Sequence, residues 1–561
     1  MVDLAQEDRD GVIVRMAIIV QTEEKRDDRI RELKSARDEY TDLATKFASL
    51  TVNPGEVRSY KDSLLASIKA RAAAQMAETG EQFMDDPDKL DKLLKWYYND
   101  LVVAKKGLSR LMPKDWVIFE TFVKIYHQIL HDWLQSNVTD PNIAPTHMLA
   151  IIHFKDVYYE KMLSRMKATS PMLEPQLPGG QDSDLVREYR QLIIDKVEQW
   201  MQRIFTTDKN AFLQRSSAEL DGAEDGGHFR TKSSGDLWIM LREQLNVAAE
   251  CKLPEVIEGV TDAMFRSLTA RQEGWSHVIS ETINKISKPD LKRNALENVE
   301  VVYDWLLAVA NDSLELIQEE TGRLAVFKKQ YEEFVSKDYA SAAEAKLESV
   351  SNNFADLMIQ CITGFVKIIF ATDLTKAMSE IFTVSWAERH QIMPAITEAL
   401  QSYLQDYLDR TSDPLLGDLL TQEMAKQLLV NYLGSIRNKN VKFRRQDPFQ
   451  DRIREDVEDA FKLFEPYPSF PDIREQWRAV SVMDQLLSCG KSEIASEFES
   501  VLATYWDIKM GWVEPVLRAR DDLDFGLSLA GDGKTLVKTL RAISADKRDK
   551  GLPSTIFSWV N

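Results

Sequence analysis

Two histidines, His127 and His131, stand four residues apart in the run Tyr126-His-Gln-Ile-Leu-His-Asp132. On a helix that spacing puts both rings on one face, as zinc metalloproteases present two of their metal ligands. The same chemistry needs a glutamate directly after the first histidine as general base, and Gln128 stands there. A third ligand is also required, and His147 and His153 qualify only by proximity in sequence. The plainer account is a pair of helix histidines, with His131 beside a carboxylate. Gly531-Asp-Gly-Lys-Thr535 is similar to the end of a phosphate-binding loop. However, Ser528 takes the place of its first glycine and no strand precedes it, so a turn between helices is expected. There is no Gly-x-Ser-x-Gly elbow and no cysteine beside a histidine. The expectation is a chain with no catalytic residues, no cofactor and no metal, acting by binding. A metal-dependent hydrolase built on His127 and His131 is the competing reading.

One concentration of charge remains. Arg437, Lys439, Lys442, Arg444 and Arg445 fall close together, flanked by Phe443 and Phe449. The chain as a whole carries 71 Lys plus Arg against 90 Asp plus Glu, a net charge of −19. A basic loop in so acidic a chain suits an acidic partner helix or an anionic lipid headgroup. It equally suits a solvated connection between helices. The acidity of the whole disfavours a general nucleic-acid binder, which needs a basic surface.

The elements that carry these residues read as helices. Gly (22) and Pro (18) together are scarce in 561 residues, against roughly 12% in an average protein. That argues against sandwiches and barrels, and 44% hydrophobic residues argue for a large core. An all-α chain is expected, with no hairpin. Between Pro289 and Pro394 there is no proline. Val299, Val302, Leu306, Val309, Ile317, Leu324, Phe327, Tyr331 and Phe334 form one stripe there, which predicts a long helix over 290–335. A pair of shorter helices broken near Gly322 is the alternative. Residues 23–39 are dense in interleaved charge, with Ile30, Leu33, Tyr40, Leu43, Phe47 and Leu50 as a narrow seam. This predicts an exposed, coiled-coil-like arm over 1–52 that is able to self-associate. Bundles are expected at 53–206, 207–337, 338–465 and 466–561, with a mobile loop at 207–234. The cysteines Cys251, Cys361 and Cys489 are too few for a disulfide scaffold. The N-terminal residues do not read as a secretory signal, and the most apolar run, Ile362–Ala371, is short and holds Lys367. A cytoplasmic protein is expected.

Several stretches resemble the exocyst complex component 3 family (the Sec-six subunit) in its filamentous-fungal form. They are Glu7–Lys25, Asp85–Leu101, Met148–Phe154 with Tyr158 and Tyr159, Leu185–Ile194 and Asp236–Leu245. Each is a helix sequence, so specificity comes from their number and order along the chain. The resemblance implies an elongated rod of consecutive helical bundles of the tethering-complex type, and a non-enzymatic role. It implies membership of an eight-subunit complex that holds secretory vesicles at the plasma membrane before SNARE-mediated fusion. The partners implied are the other exocyst subunits, SNARE proteins and their regulators, and peripheral membrane at growth sites. Family members carry a longer N-terminal coiled coil, and the match here begins almost at Met1. A Sec-six-like scaffold acting outside the exocyst is the alternative within the same class.

Overall fold

The computed structural model describes residues 10–39, 55–140, 143–179, 184–222, 227–288, 297–438, 441–444, 448–526, 532–546 and 552–560. The described chain is almost entirely helical. Its helices of eight residues or more run, in order, α1 Asp10–Glu39, α2 Tyr60–Asp85, α3 Lys95–Val103, α4 Ile118–Val138, α5 Pro145–Glu160, α6 Asp184–Leu213, α7 Lys232–Glu250, α8 Pro254–Ile286, α9 Val299–Ile317 and α10 Arg323–Glu332. There follow α11 Lys337–Thr372, α12 Ile392–Leu408, α13 Pro414–Gly434, α14 Phe449–Phe464, α15 Phe470–Trp477, α16 Ala479–Ser488, α17 Ile494–Thr504, α18 Met510–Ala519 and α19 Asp532–Asp546. The chain forms two compact units, Met1–Lys196 with Gln244–Thr261, and Val197–Glu243 with Asp262–Asn561. Their boundaries fall within α6, α7 and α8. The arm and four bundles expected from the sequence stand as a proposed division of their own, which does not nest in these units because 244–261 of the second bundle lie in the first unit.

In the first unit, aromatic side chains on α2, α3, α4 and α5 make the core. Phe83 meets the Trp133 and His147 rings edge-on at 5.3 and 5.0 Å. Residues 10–39 are helical as expected but are not a free arm. Ile13, Ala17 and Ile30 are buried. The buried Asp27 carboxylate accepts the Arg58 amide at 3.0 and 3.1 Å and the Ser59 amide at 2.7 Å, just ahead of α2. Those amides hold the Asp27 carboxyl below the usual range. Glu24 accepts the Trp116 indole N–H at 3.0 Å and pairs with Lys61 at 2.6 Å. Ile30 is thus consumed inside the unit and Leu33 is exposed, while Tyr40, Leu43, Phe47 and Leu50 lie outside the described residues.

The second unit is organised around α9. Residues 305–311 of this helix are buried without interruption, so the middle of α9 is buried all round, while Glu300, Asp304, Asp312 and Glu315 keep some exposure on either side of it. The single helix expected over 290–335 is broken, as the alternative reading had it. α9 ends at Ile317 and α10 begins at Arg323, while 289–296 lie outside the described residues. At Gly322 a Cβ would stand 2.3 Å from the Gln318 carbonyl oxygen and 2.8 Å from that of Leu316. Only glycine lets the chain fold back this closely. The stripe period continues across the break because both helices face the same core, which periodicity alone does not distinguish from one helix.

α11 carries the apolar run Ile362–Ala371. Its most apolar 18-residue stretch has a mean hydropathy of 1.7, long and apolar enough to cross a membrane, but 61% of it is buried within the fold. Lys367 alone in 365–370 points outward. Gly364 lets α11 approach α8, since a Cβ there would stand 2.2 Å from Ile283 Cδ1.

The described part of 207–234 is anchored. Residues 207–213 continue α6, Leu220–Asp221 pairs antiparallel with Arg230–Thr231, and Phe229 is buried. The absence of a hairpin expected from the sequence is corrected by this short ladder. It is held by side chains rather than by turn residues: Asn311 Nδ2 donates to the Phe229 carbonyl at 2.8 Å, and Asp312 accepts the Thr231 hydroxyl at 2.5 Å. Beside it lies a buried ionic cluster in which Arg271 donates to Asp208 at 2.8 Å and Ser233 donates to the same carboxylate at 2.6 Å. Burial pushes the Asp312 carboxyl up to about 7.

Two predictions arise here. Gly322→Ala should lower the free energy of unfolding by ~1–3 kcal/mol through backbone crowding, read as a shift in the urea midpoint. An unchanged midpoint would mean that the turn relaxes freely. Asp312 is raised above its unfolded value of ~3.9. Its contribution is therefore complete below that value and is lost as pH rises towards about 7. Asp312→Asn should flatten the fall in stability between pH 5 and pH 8 relative to the unmutated chain. An identical slope would assign that fall to other groups.

Candidate functional site

The basic residues singled out by sequence lie in the second unit, between α13 and α14. Lys439 and Arg445 lie outside the described residues. The other three have different fates. Arg437 Nη2 donates to the Gly511 carbonyl at 3.1 Å. Lys442 Nζ donates to the Arg518 carbonyl at 2.8 Å, placing a cation at the negative C-terminal turn of α18. Arg444 is exposed, with no hydrogen bond or ion pair among the described residues. Two of the three thus spend donors on the fold, and Arg444 spends none among the described residues.

What fixes the segment is the residue between these cations. Phe443 donates its amide to the Ala519 carbonyl at 2.8 Å and forms a parallel bridge with Arg520. Its ring is buried, 5.1 Å from Phe449, 5.6 Å from Phe382 and 6.2 Å from Trp386. In a strand-like segment successive side chains alternate sides, so with Phe443 inward, Lys442 and Arg444 face out. Phe443 and Phe449, which the sequence places beside the basic residues, are both buried and hold the segment to the core.

Two buried charges support this anchor. Arg520 donates to the Leu486 and Cys489 carbonyls at 2.6 and 2.8 Å, and to both Asp522 oxygens at 2.8 Å. Burial works against its charge, and the Asp522 carboxylate outweighs that and raises its pKa. Asp456 accepts the Trp386 indole N–H at 2.7 Å and the Tyr432 hydroxyl at 2.9 Å, and faces Arg452 at 3.4 Å. Burial pushes the Asp456 carboxyl up to about 6. These groups tie α13, α14 and the short helix Val384–Glu388 around the ring cluster.

The histidine pair is not assembled for metal chemistry. His127 is buried, with Nε2 2.7 Å from the Pro175 carbonyl oxygen and Nδ1 2.8 Å from the Tyr158 hydroxyl. A carbonyl only accepts, so Nε2 carries the proton and Nδ1 accepts from Tyr158. Burial lowers the His127 pKa and keeps the ring neutral. His131 lies 3.2 Å from Asp132, His147 3.2 Å from the Met84 carbonyl and His153 2.9 Å from the Glu250 carbonyl. No group of three or more potential metal ligands occurs among the described residues. The competing hydrolase reading therefore has no site in which both His127 nitrogens are available. Asp532–Thr535 opens α19, so the loop-like glycine sequence serves as a helix start, with Gly531 outside the described residues.

A cleft that sequence reasoning missed lies between α9, the end of α11 and α12. It measures about 310 Å³ and is lined by Tyr303, Tyr403 and Tyr407 with Glu300, Asp373 and Asp406. Its residues come from three separated stretches, so no local pattern could reveal it. Only Tyr403 and Tyr407, four apart on α12, carry a local signal.

Comparison with known proteins follows the same helical lines. The sequence matches the family model described as exocyst complex component Sec6 over residues 1–525. It is 24% identical over 558 residues to exocyst complex component sec6 of Schizosaccharomyces pombe, covering 98% of this chain and 70% of the relative. It is 23% identical over 486 residues to exocyst complex component SEC6 of Saccharomyces cerevisiae, covering 83% of this chain and 58% of the relative. The fold is similar to the crystal structure of the C-terminal domain of the exocyst subunit Sec6p, with a TM-score of 0.56 and 21% identity over 66% of this chain and 95% of that one. It is also similar to M-Sec, with a TM-score of 0.51 and 14% identity over 95% of this chain and 86% of that one. With nine-tenths of its length covered by one family model, the chain belongs to the exocyst complex component Sec6 family.

Proposed function

We propose that this chain is a non-enzymatic subunit of an exocyst-type tethering complex, holding secretory vesicles at the plasma membrane before SNARE-mediated fusion. The observation that carries the reading is the family match over residues 1–525. The chain spans 70% and 58% of its two yeast relatives, so the assembly of the whole protein is part of the proposal. Its partners on this reading are other exocyst subunits, with SNARE proteins and peripheral membrane as further contacts. Its place is the cytoplasm and sites of exocytosis.

The physics of the fold suits tethering. Helical bundles offer grooves in which a partner helix can bury an apolar stripe. Several weak contacts on one chain multiply through effective concentration, so no single interface need be tight. Exposed Arg444, with its neighbour Arg445, adds a charged contact of the kind that attracts acidic protein or anionic lipid.

Affinity purification of the tagged chain from its own cells, with mass spectrometry of the co-purifying proteins, tests the complex. Recovery of other exocyst subunits is expected, and recovery of none would place the chain outside that assembly. The charged contact has its own test. Arg444→Glu with Arg445→Glu should weaken binding to phosphatidylserine vesicles or to a recovered subunit by about thirtyfold, at ~1 kcal/mol for each of the two basic residues near an anionic surface. The thermal midpoint should stay unchanged. Equal binding in both assays would leave the segment a solvated connection.

A further inference from the structure

We propose that the first unit carries a basic surface of its own, built where the π-helical ends of α3 and α5 meet, and that this surface binds an anionic lipid bilayer.

The argument begins with two stretches of one sign. Residues 105–114 and 161–167 hold seven Lys and Arg and no Asp or Glu, in a chain of net charge −19. Both stretches belong to the first unit. Lys105 Nζ donates to the Met166 carbonyl at 2.6 Å, across 61 residues of sequence, and stands 5.3 Å from the Phe119 ring. One lysine is thus spent on the fold, and spending it draws the two basic stretches together against the start of α4.

The backbone marks the same place independently. α3 continues into a π-helical turn at Ala104–Leu108, and α5 continues into another at Lys161–Arg165. In the second, the Met166 amide donates to the Lys161 carbonyl at 3.0 Å, five residues back. These are the two π-helical turns among the described residues. Such turns hold well under about 1% of residues in proteins, and they gather at functional sites. Here Lys105 lies in one of them and bonds to the residue that closes the other.

The remaining cations are left to solvent. Lys161 is held by Asp91 at 2.5 Å. Lys106, Arg110, Lys114, Arg165 and Lys167 are exposed, and none makes a hydrogen bond or ion pair among the described residues. Exposed arginines elsewhere differ: Arg266, Arg454 and Arg478 pair with carboxylates at 3.1, 2.9 and 2.8 Å. Asp115 and Glu160 stand at the borders of the two stretches and leave their interiors uniformly basic. Apolar side chains accompany the charge. Leu163, inside the second turn, is 44% exposed, and Val117, two residues before Phe119, is 53% exposed. Val117 holds φ at 41°, where a β-branched residue is rarely found. Cations beside exposed aliphatic side chains match anionic headgroups lying over acyl chains. An acidic peptide would use the charge and leave the aliphatic groups in water. The surface belongs to the isolated chain, so it stands or falls apart from membership of a tethering complex.

The test is co-sedimentation of the purified full chain with phosphatidylcholine vesicles containing about a third phosphatidylserine, with pure phosphatidylcholine as the uncharged control. The mixed vesicles should bind the chain, less so as salt rises, and the control should not. Lys106→Gln, Arg110→Gln and Arg165→Gln together should weaken binding on the order of a hundredfold and leave the thermal midpoint unchanged. Arg266→Gln, Arg454→Gln and Arg478→Gln together remove the same charge from paired positions and should change binding less than about threefold. Val117→Asn should weaken binding several-fold and raise the thermal midpoint, because asparagine tolerates positive φ. Equal binding by the two triple variants overturns the proposal. So does no binding to the mixed vesicles, and binding of a polyglutamate peptide in that case would assign the surface to an acidic protein instead.

Discussion

The second unit depends on one constraint: the middle of α9, residues 305–311, is buried on all sides, so a polar group placed there must be satisfied by some other part of the chain. Asn311 meets this demand in full. Its amide donates to the Phe229 and Arg410 carbonyls at 2.8 and 3.0 Å, and its oxygen accepts the Ser412 amide at 2.8 Å. Ser313 donates back to the Val309 carbonyl. Asp312 draws Thr231 to it and so fixes the short ladder at 220–231. One side chain thereby converts a glycine-rich connection into an anchored one.

A related economy governs the C-terminal part of the same unit. The ring cluster of Phe382, Trp386, Phe443 and Phe449 is apolar, but it is ringed by Asp456, Arg452 and Arg520, none of which reaches water freely. Burying such charges is costly unless each finds partners. Arg520 finds five acceptor contacts counting the Cys489 sulfur, and Asp456 finds an indole and a phenol. These bonds are directional, so they set where the 441–444 segment can lie more sharply than ring packing would. A basic surface that must present its charge outward gains from an anchor that cannot slide.

The helices were legible because proline placement and apolar periodicity are local. The stripe through Val302, Leu306 and Val309 is a true core face, and the break at Gly322 was written as a single glycine whose meaning depends on how close the backbone returns. Ile30 read as part of an open seam because nothing near it in sequence announces that Asp27 will capture the Arg58 and Ser59 amides. The charge cluster at 437–445 was visible by composition. That Lys442 is spent on the Arg518 carbonyl was not, since the acceptor lies 76 residues away. His127 and His131 kept their helical spacing, but the ring nitrogens of His127 went to Tyr158 and Pro175, contacts that spacing does not encode.

Arg444 projects from a segment whose anchor is buried. A charge held in this way sits in water, so any attraction that it exerts is screened by salt and acts mainly on encounter and orientation. The bonds beneath it are different in kind. Those of Arg520 and Asp456 are made out of reach of water and are directional, so they hold the segment in place although the charge above them is solvated. Both features arise from residues that the helical core had already placed.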